Sequence, residues 1–158
     1  MKKIAVYNGT FDPVTNGHLD IIERASKIFD VLYVTIAIHP TKVGLFSIEE
    51  RKELLKEATK HLDNVIVDST KELSMDYVNK VNGQVLIRGL RTSTDFDYEL
   101  QYAQSNQYLD DKIETMYLMT KPSHSFISSS VVKEMASYHK SLNGLVPPCV
   151  EEALKKVY

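Results

Sequence analysis

Five short apolar runs alternate with stretches of helical periodicity, and this alternation restricts the possible folds more than any other feature of the sequence. The predicted strands cover residues 4–7, 31–38, 64–67, 84–87 and 115–119. Strands separated by helices indicate βαβ units, in which the strands run parallel and right-handed crossovers place helices on both faces of the sheet. The sequence therefore predicts an α/β fold: a Rossmann-like α/β/α sandwich with a five-stranded, mostly parallel sheet.

Helix signals lie between these strands. Apolar residues recur at helical spacing after His18, and Ser47 with Glu50 has the spacing of a capping box. Thr94 is the predicted cap of a helix that follows the fourth strand, and Pro147-Pro148 precedes a closing helix. The predicted helices cover residues 18–29, 48–60, 73–81, 95–109 and 128–137, with the closing helix after residue 148.

Length and charge narrow the class of protein. With 158 residues, the chain is expected to form a single domain over residues 1–158. A formal net charge of −2 gives no general attraction to nucleic acid, and no apolar run approaches the length of a membrane span. The chain has no apolar signal region, and its one cysteine, Cys149, cannot form an internal disulfide. We therefore expect a cytoplasmic protein with neither nucleic-acid nor membrane partners.

Polar side chains follow four of the predicted strands, at the edge of the sheet where such folds bind ligands. Thr10 and His18 follow the first strand, Lys42 follows the second, and Arg88 and Arg91 follow the fourth; a serine-rich segment over 124–130 follows the fifth. Two glycines and the start of a helix accompany His18, and free N–H groups at a helix start bind phosphate. Because these sets contain few carboxylates, we expect a positively charged site for a polyphosphate.

Each of these residues also has an ordinary structural interpretation. Lys42 could be a solvated loop lysine, and Arg88 and Arg91 could form ion pairs with Asp95 or Glu99. The serine run could be only a helix cap, although three consecutive hydroxyls exceed what one cap needs. The chain has no phosphate-binding GxxxxGK[ST] loop, no GxGxxG after the first strand, no nucleophile elbow and no zinc-site spacing. No metal-ligating residues are predicted.

Three motifs together resemble a known enzyme family. Gly9-Thr10-Phe11-Asp12-Pro13 with Thr15-Asn16-Gly17-His18 resembles the signature of the (H/T)xGH nucleotidyltransferase superfamily, and Ile127-Ser128-Ser129-Ser130 resembles its second motif. The segment 85–91 followed by 95–99 is similar to the bacterial phosphopantetheine adenylyltransferases. The resemblance covers essentially the whole chain. It implies transfer of AMP from ATP to 4′-phosphopantetheine with Mg²⁺, giving dephospho-coenzyme A and pyrophosphate in coenzyme A biosynthesis. It also implies a homohexamer and coenzyme A as a feedback ligand.

The same resemblance implies roles for individual residues. Catalytic roles fall to His18, Thr10, Lys42 and Arg91, and acceptor binding falls to Thr10, Lys42, Ser74 and Arg88. The implied ATP-binding residues are Thr10, Phe11, His18, Gly89, Leu90, Arg91, Glu99, His124, Ser125, Phe126, Ile127, Ser128, Ser129 and Ser130. Three positions depart from the family pattern. Asn8 stands where proline is frequent, His124 where tryptophan is common, and Ser74 where the residue is often apolar.

Two other functions stay open at this point. One is a related nucleotidyltransferase that acts on another phosphorylated acceptor, such as nicotinamide mononucleotide or an alcohol phosphate. The other is a nucleotide-binding module without catalysis. Aminoacyl-tRNA synthetases of class I share the histidine motif, but this chain is too short to hold a tRNA-binding region as well.

Overall fold

The predicted sheet is present in a computed structural model that describes residues 1–158. Its order is β3-β2-β1-β4-β5, and every neighbouring pair of strands is parallel. The strands are β1 (Ile4–Gly9), β2 (Val31–Ala37), β3 (Val65–Thr70), β4 (Val85–Leu90) and β5 (Glu114–Met119). The α/β prediction is confirmed, and the sheet is entirely rather than mostly parallel.

Six α-helices and one short 3₁₀ helix connect and cover these strands. The α-helices are α1 (Asn16–Ser26), α2 (Ile48–Thr59), α3 (Ser74–Lys80), α4 (Ser93–Leu109), α5 (Ser129–Ser137) and α6 (Pro148–Val157). The 3₁₀ helix spans Pro122–His124. None of these helices combines the length and the apolarity that a membrane span requires.

Two apolar clusters, one on each face of the sheet, hold the layers together. Side chains alternate between the two faces of a strand, so Ala5 and Tyr7 of β1 enter one cluster while Val6 enters the other. The larger cluster contains buried residues of α1, α2, α5 and α6, and the smaller one contains Met75 and Val78 of α3. This alternation produces the three-layer sandwich that the strand–helix order predicts.

Several predicted boundaries were wrong by a few residues; β1, for example, ends at Gly9 and β3 at Thr70. Two differences concern the elements around the fourth strand. β4 extends to Leu90 because its residues stay paired with β5, so Arg88 lies inside the strand rather than after it. The cap of α4 is Thr92 rather than Thr94, since the Thr92 hydroxyl oxygen accepts the Asp95 N–H. The capping box of Ser47 and Glu50 is present as predicted.

Candidate active site

A cavity of about 690 Å³ opens at the carboxyl ends of β1, β2, β3 and β4. Its size lies within the range of small-molecule sites. Residues from four separate parts of the chain, including His18, Lys42, Arg88 and Ser129, share this one cavity. The predicted site residues that line it are Thr10, Phe11, His18, Lys42, Ser74, Arg88, Gly89, Arg91, Glu99, Ile127, Ser128 and Ser129.

Five residues of the implied ATP set lie outside this cavity wall: Leu90, His124, Ser125, Phe126 and Ser130. Leu90 is buried, whereas Phe126 and Ser130 are exposed. His124 ends the 3₁₀ helix and lies close to the start of α1, where its carbonyl oxygen would be 3.9 Å from a Cβ on Gly17. Its Nδ1 is buried without a hydrogen-bond partner.

His18 lies in the first turn of α1, and the local sequence determines the orientation of its ring. Thr15 caps the helix by accepting the His18 N–H, and the Thr15 N–H donates to His18 Nδ1 at 3.0 Å. Burial, with a smaller contribution from the charge of Arg91, lowers the pKa of His18 to about 4. The ring is therefore neutral at pH 7. Because Nδ1 accepts a hydrogen bond, the ring hydrogen is on Nε2, where it can be donated to a bound ligand.

The ring of Phe11 packs edge-on between two others. The Tyr7 and His18 rings have centroids 5.3 and 5.0 Å from its own. Phe11 is buried and adopts a φ of 47°, in the left-handed region that non-glycine residues seldom occupy. Strain of this kind persists only where the surroundings enforce it, and it is concentrated at functional sites. The contact with Phe11 restricts the His18 ring from a second side.

Both arginines form the ion pairs considered as their ordinary structural interpretation. Arg88 pairs with buried Glu99, with Nη2 2.7 Å from Oε1 and Nε 3.0 Å from Oε2. Arg91 pairs with Asp95 and also donates to the Ile127 carbonyl oxygen at 3.1 Å. Burial alone would lower the pKa of Arg88, but the hydrogen bonds and charge of Glu99 outweigh it and raise that pKa.

These pairs change the predicted character of the site in two ways. The expectation of few carboxylates was wrong, because Glu72, Asp95 and Glu99 all line the cavity. The edge of the Arg88 guanidinium formed by Nε and Nη2 makes a bidentate contact with Glu99, so this edge is not free to bind a phosphate. Arg88 keeps its charge and one Nη2 hydrogen for a ligand.

Lys42 provides an unpaired cation. It is exposed on the loop between β2 and α2, and its ammonium forms no ion pair and no hydrogen bond within the protein. The exposed residues His39 and Lys71 also line the cavity, although neither was among the predicted site residues. Their position after β2 and β3 was the signal that could have identified them. Lys42 and Lys71 make this side of the cavity cationic.

Asp12 fixes the loop that carries Lys42, a role that its place in the motif over residues 9–13 did not predict. Its buried carboxylate accepts the N–H groups of Leu45 and Phe46 at 2.8 and 3.0 Å. The same carboxylate lies 3.3 Å from Arg51 Nε of α2 and 3.5 Å from Lys133 Nζ of α5. The turn before His18, the Lys42 loop and helix α5 are thus tied to one buried charge.

The start of α5 supplies backbone donors rather than spare hydroxyls. Ser128 Oγ accepts the Val131 N–H as the helix cap, and Ser129 Oγ donates to the Pro13 carbonyl oxygen at 2.8 Å. The excess of hydroxyls inferred from the sequence is therefore largely used within the protein. The N–H groups of Ser129 and Ser130, before the capped Val131 N–H, have no partner inside the helix and are suited to an anion. No group of three or more His, Cys, Asp or Glu side chains is placed to hold a metal ion.

Comparison with known proteins agrees with this architecture. A family model for cytidylyltransferase-like proteins matches residues 6–135. Among solved structures, a protein from Vibrio parahaemolyticus assigned as a nicotinate-nucleotide adenylyltransferase is similar, with a TM-score of 0.77 and 19% sequence identity. The similarity covers 99% of this chain and 93% of that one. At this identity, the likeness extends to the fold, and the matched family segment includes every residue that lines the cavity.

Proposed function

The chain belongs to the cytidylyltransferase-like family, and from that premise we propose that it transfers AMP from ATP to 4′-phosphopantetheine. The products would be dephospho-coenzyme A and pyrophosphate. The main observation behind the proposal is that one cavity contains a neutral histidine donor together with cations from three separate loops. These cations are Lys42, Lys71 and Arg91. Such a cavity can bind two phosphorylated molecules side by side. The choice of 4′-phosphopantetheine as acceptor rests on the arginine motif and the resemblance it carries.

The contacts suggest a division of the cavity between the two substrates. Arg91 is joined through the Ile127 carbonyl to the segment before α5, and with the first turn of that helix it would hold the phosphates of ATP. Lys42 and Arg88 would contact the phosphate of the acceptor, with Thr10 between the two sides. Mg²⁺ would enter bound to ATP and supply further charge neutralisation on its phosphates.

The chemistry requires no base from the protein. An oxygen of the acceptor phosphate, already ionised at neutral pH, would attack the α-phosphorus of ATP. The new bond joins that oxygen to the α-phosphorus as the bond to the bridging oxygen of pyrophosphate breaks, and pyrophosphate leaves with the electron pair. The His18 Nε2–H would donate to an α-phosphoryl oxygen as charge develops there, and Lys42 would offset the repulsion between the anions. Positioning and electrostatics would therefore supply the catalysis.

A second acceptor has support from the fold comparison. The similar Vibrio parahaemolyticus protein is assigned as a nicotinate-nucleotide adenylyltransferase. Nicotinate mononucleotide or nicotinamide mononucleotide is therefore the main alternative acceptor. Both reactions would use the same side chains on the ATP side. They would differ in the part of the cavity near Ser74 and Arg88, where the acceptor would lie.

A product assay separates these possibilities. Purified protein is incubated with ATP, Mg²⁺ and one acceptor at a time, pyrophosphate release is followed, and the product mass is measured. We expect dephospho-coenzyme A with 4′-phosphopantetheine and a rate at least tenfold lower with either mononucleotide. A higher rate with a mononucleotide would overturn the choice of acceptor. ATP binding without pyrophosphate release with any of them would indicate a non-catalytic module.

Assembly and feedback are the remaining parts of the proposal. α4 and β5 expose several large apolar side chains, among them Tyr108, Leu109 and Met119, which is compatible with contact between copies in a homohexamer. Sedimentation velocity at micromolar protein would give the oligomeric state. Coenzyme A, which contains the acceptor's own pantetheine phosphate, would compete with 4′-phosphopantetheine, and a rise in the acceptor KM with added coenzyme A would show it.

A further inference from the structure

A chain of three polar side chains crosses the acceptor side of the cavity and has no role in the chemistry above. Asn8, near the end of β1, is 7% exposed and donates from Nδ2 to Ser74 Oγ at the start of α3. Ser74 Oγ in turn makes a hydrogen bond with the Tyr102 hydroxyl of α4. The chain thus links β1, α3 and α4. All three residues line the cavity, and the side chains of Ser74 and Tyr102 are only half-buried.

The hydrogen count of this chain leaves one donor unused. If Ser74 donates to Tyr102, the Tyr102 O–H is free; if Tyr102 donates to Ser74, the Ser74 O–H is free, because Ser74 Oγ then accepts from both neighbours. In either arrangement, one hydroxyl hydrogen has no partner within the protein. A link that served only to hold three elements together would not need to face a cavity with a spare donor.

Arg88 fixes the position of this spare donor beside a positive charge. Its Nη1 donates to the Asn8 carbonyl oxygen at 3.0 Å, and its guanidinium carbon lies 4.8 Å from the centre of the Tyr102 ring. The cation and the hydroxyl chain therefore share Asn8 and Tyr102. A ligand whose phosphate approaches Arg88 would bring an adjacent oxygen within reach of the hydroxyl.

We propose that the Asn8–Ser74–Tyr102 chain determines acceptor specificity by donating its free hydroxyl hydrogen to an oxygen of the acceptor next to Arg88. That oxygen would belong either to the acceptor's phosphate or to a carbonyl group beyond it. The inference rests on the proposed function to the extent that an acceptor must occupy this cavity. An acceptor with an apolar group at this position would leave the hydroxyl without a partner and would bind less tightly.

The test uses substitutions that remove a hydroxyl and little else. Tyr102→Phe keeps the ring over Arg88, Ser74→Ala removes the central oxygen, and Tyr138→Phe, at the end of α5 and outside the cavity, is the matched control. Tyr138 is 69% exposed, and its hydroxyl makes no hydrogen bond within the protein. Each variant is assayed with the acceptor varied at saturating ATP and with ATP varied at saturating acceptor, and acceptor binding is measured directly by calorimetry.

We expect Tyr102→Phe and Ser74→Ala to raise the acceptor KM and dissociation constant by about 3- to 10-fold, the effect of one neutral hydrogen bond. The kcat and the ATP KM should stay within twofold of the wild type, and Tyr138→Phe should change none of these constants. The double variant should bind the acceptor only as weakly as the weaker-binding of the two single variants, because both changes break the same hydrogen-bonded chain. Unchanged acceptor binding, or equal losses for ATP and acceptor, would overturn the proposal.

Two competitive inhibitors identify the oxygen. Pantetheine without its phosphate carries the carbonyl groups, and inorganic phosphate carries only phosphoryl oxygens. If Tyr102→Phe weakens inhibition by pantetheine alone, the hydroxyl binds a carbonyl; if it weakens inhibition by phosphate alone, the hydroxyl binds the phosphate. Equal inhibition of wild type and variant by both compounds would contradict the inference.

Failure of this inference and failure of the proposed function give different results. If wild-type protein forms no dephospho-coenzyme A, the proposed function fails, and the same variants are then compared with the mononucleotide that the wild type does use. If wild-type protein forms the product but the acceptor KM of Tyr102→Phe is unchanged, the function stands and the hydroxyl chain has no part in specificity.

Discussion

Replacing Asp12 with alanine should weaken the fold and disturb the Lys42 loop together, because one buried carboxylate holds both. Asp12 is 5% exposed and accepts two backbone N–H groups from the loop that follows Lys42. Arg51, 6% exposed, lies beside it and donates from Nε to the Phe46 carbonyl oxygen at 2.8 Å. Removing the carboxylate leaves two loop N–H groups and a buried guanidinium without their anionic partner.

The expected decrease in the free energy of unfolding follows from these lost partners. Removal of one partner from a buried ion pair costs about 3–5 kcal/mol, since the remaining charge is left uncompensated. For a domain of this length, that corresponds to a fall in Tm of about 6–20 °C. Asp12→Asn keeps one oxygen that can accept a loop N–H, so its loss should be smaller than that of Asp12→Ala.

Urea unfolding followed by circular dichroism measures the free energy of unfolding, and the slope m should stay unchanged. Asp30→Asn is the control, because Asp30 also accepts a backbone N–H, from Lys3 at 2.7 Å, but is exposed. We expect that control to lose less than about 1 kcal/mol. A loss of under about 1 kcal/mol in Asp12→Ala, with an unchanged acceptor KM, would refute the reasoning.

Three further outcomes are expected. His18→Ala should retain ATP binding by calorimetry and lose roughly 100- to 1,000-fold in turnover, the usual cost of one preorganised donor; full turnover would remove His18 from the mechanism. Because the pKa of folded His18 is lowered to about 4, its contribution to stability is complete above the unfolded pKa of about 6.5. That contribution is lost as pH falls towards 4, and an NMR titration of the ring should show no midpoint near 6.5. Gly44→Ala should cost about 1–3 kcal/mol in urea unfolding, because a Cβ would lie 1.5 Å from Arg51 Nη2; wild-type stability would contradict that contact.

The order of elements could be predicted from the sequence because apolar periodicity reports burial directly. The end of β4 could not, since its pairing with β5 continues through Arg88 and Gly89, where the apolar run has stopped. Periodicity records which side chains are buried, whereas the extent of a strand depends on backbone bonds to a neighbour.

For the candidate site, the location could be predicted from the sequence, but the side-chain partners could not. The rule that ligands bind at the carboxyl ends of parallel strands brought His18, Lys42 and Arg88 to one edge from sequence alone. The sequence also offered Glu99 and Asp95 as possible ion-pair partners, but only the structure shows that Arg88 takes Glu99. Partners this specific depend on side-chain geometry.

Contacts between positions far apart in the chain could not be predicted from the sequence. Asn8 and Ser74 were noted as departures from a family pattern, and Ser74 also as an acceptor-binding residue, but nothing in the sequence connected the two with each other or with Tyr102. Asp12 lies in a stretch whose Gly and Pro residues are typical of an ordinary turn. Its role depends on hydrogen bonds from a loop more than thirty residues further along the chain. A single sequence carries no signal for such pairs.

A crystal structure of the protein with 4′-phosphopantetheine and a non-hydrolysable ATP analogue tests the central claim most directly. We expect both molecules in the cavity lined by His18 and Lys42. An acceptor phosphate oxygen should lie about 3–3.5 Å from the α-phosphorus and in line with the leaving oxygen, and His18 Nε2 should lie within hydrogen-bond distance of an α-phosphoryl oxygen. Binding of the two molecules in separate cavities, or an α-phosphate without contact to His18, would contradict the account.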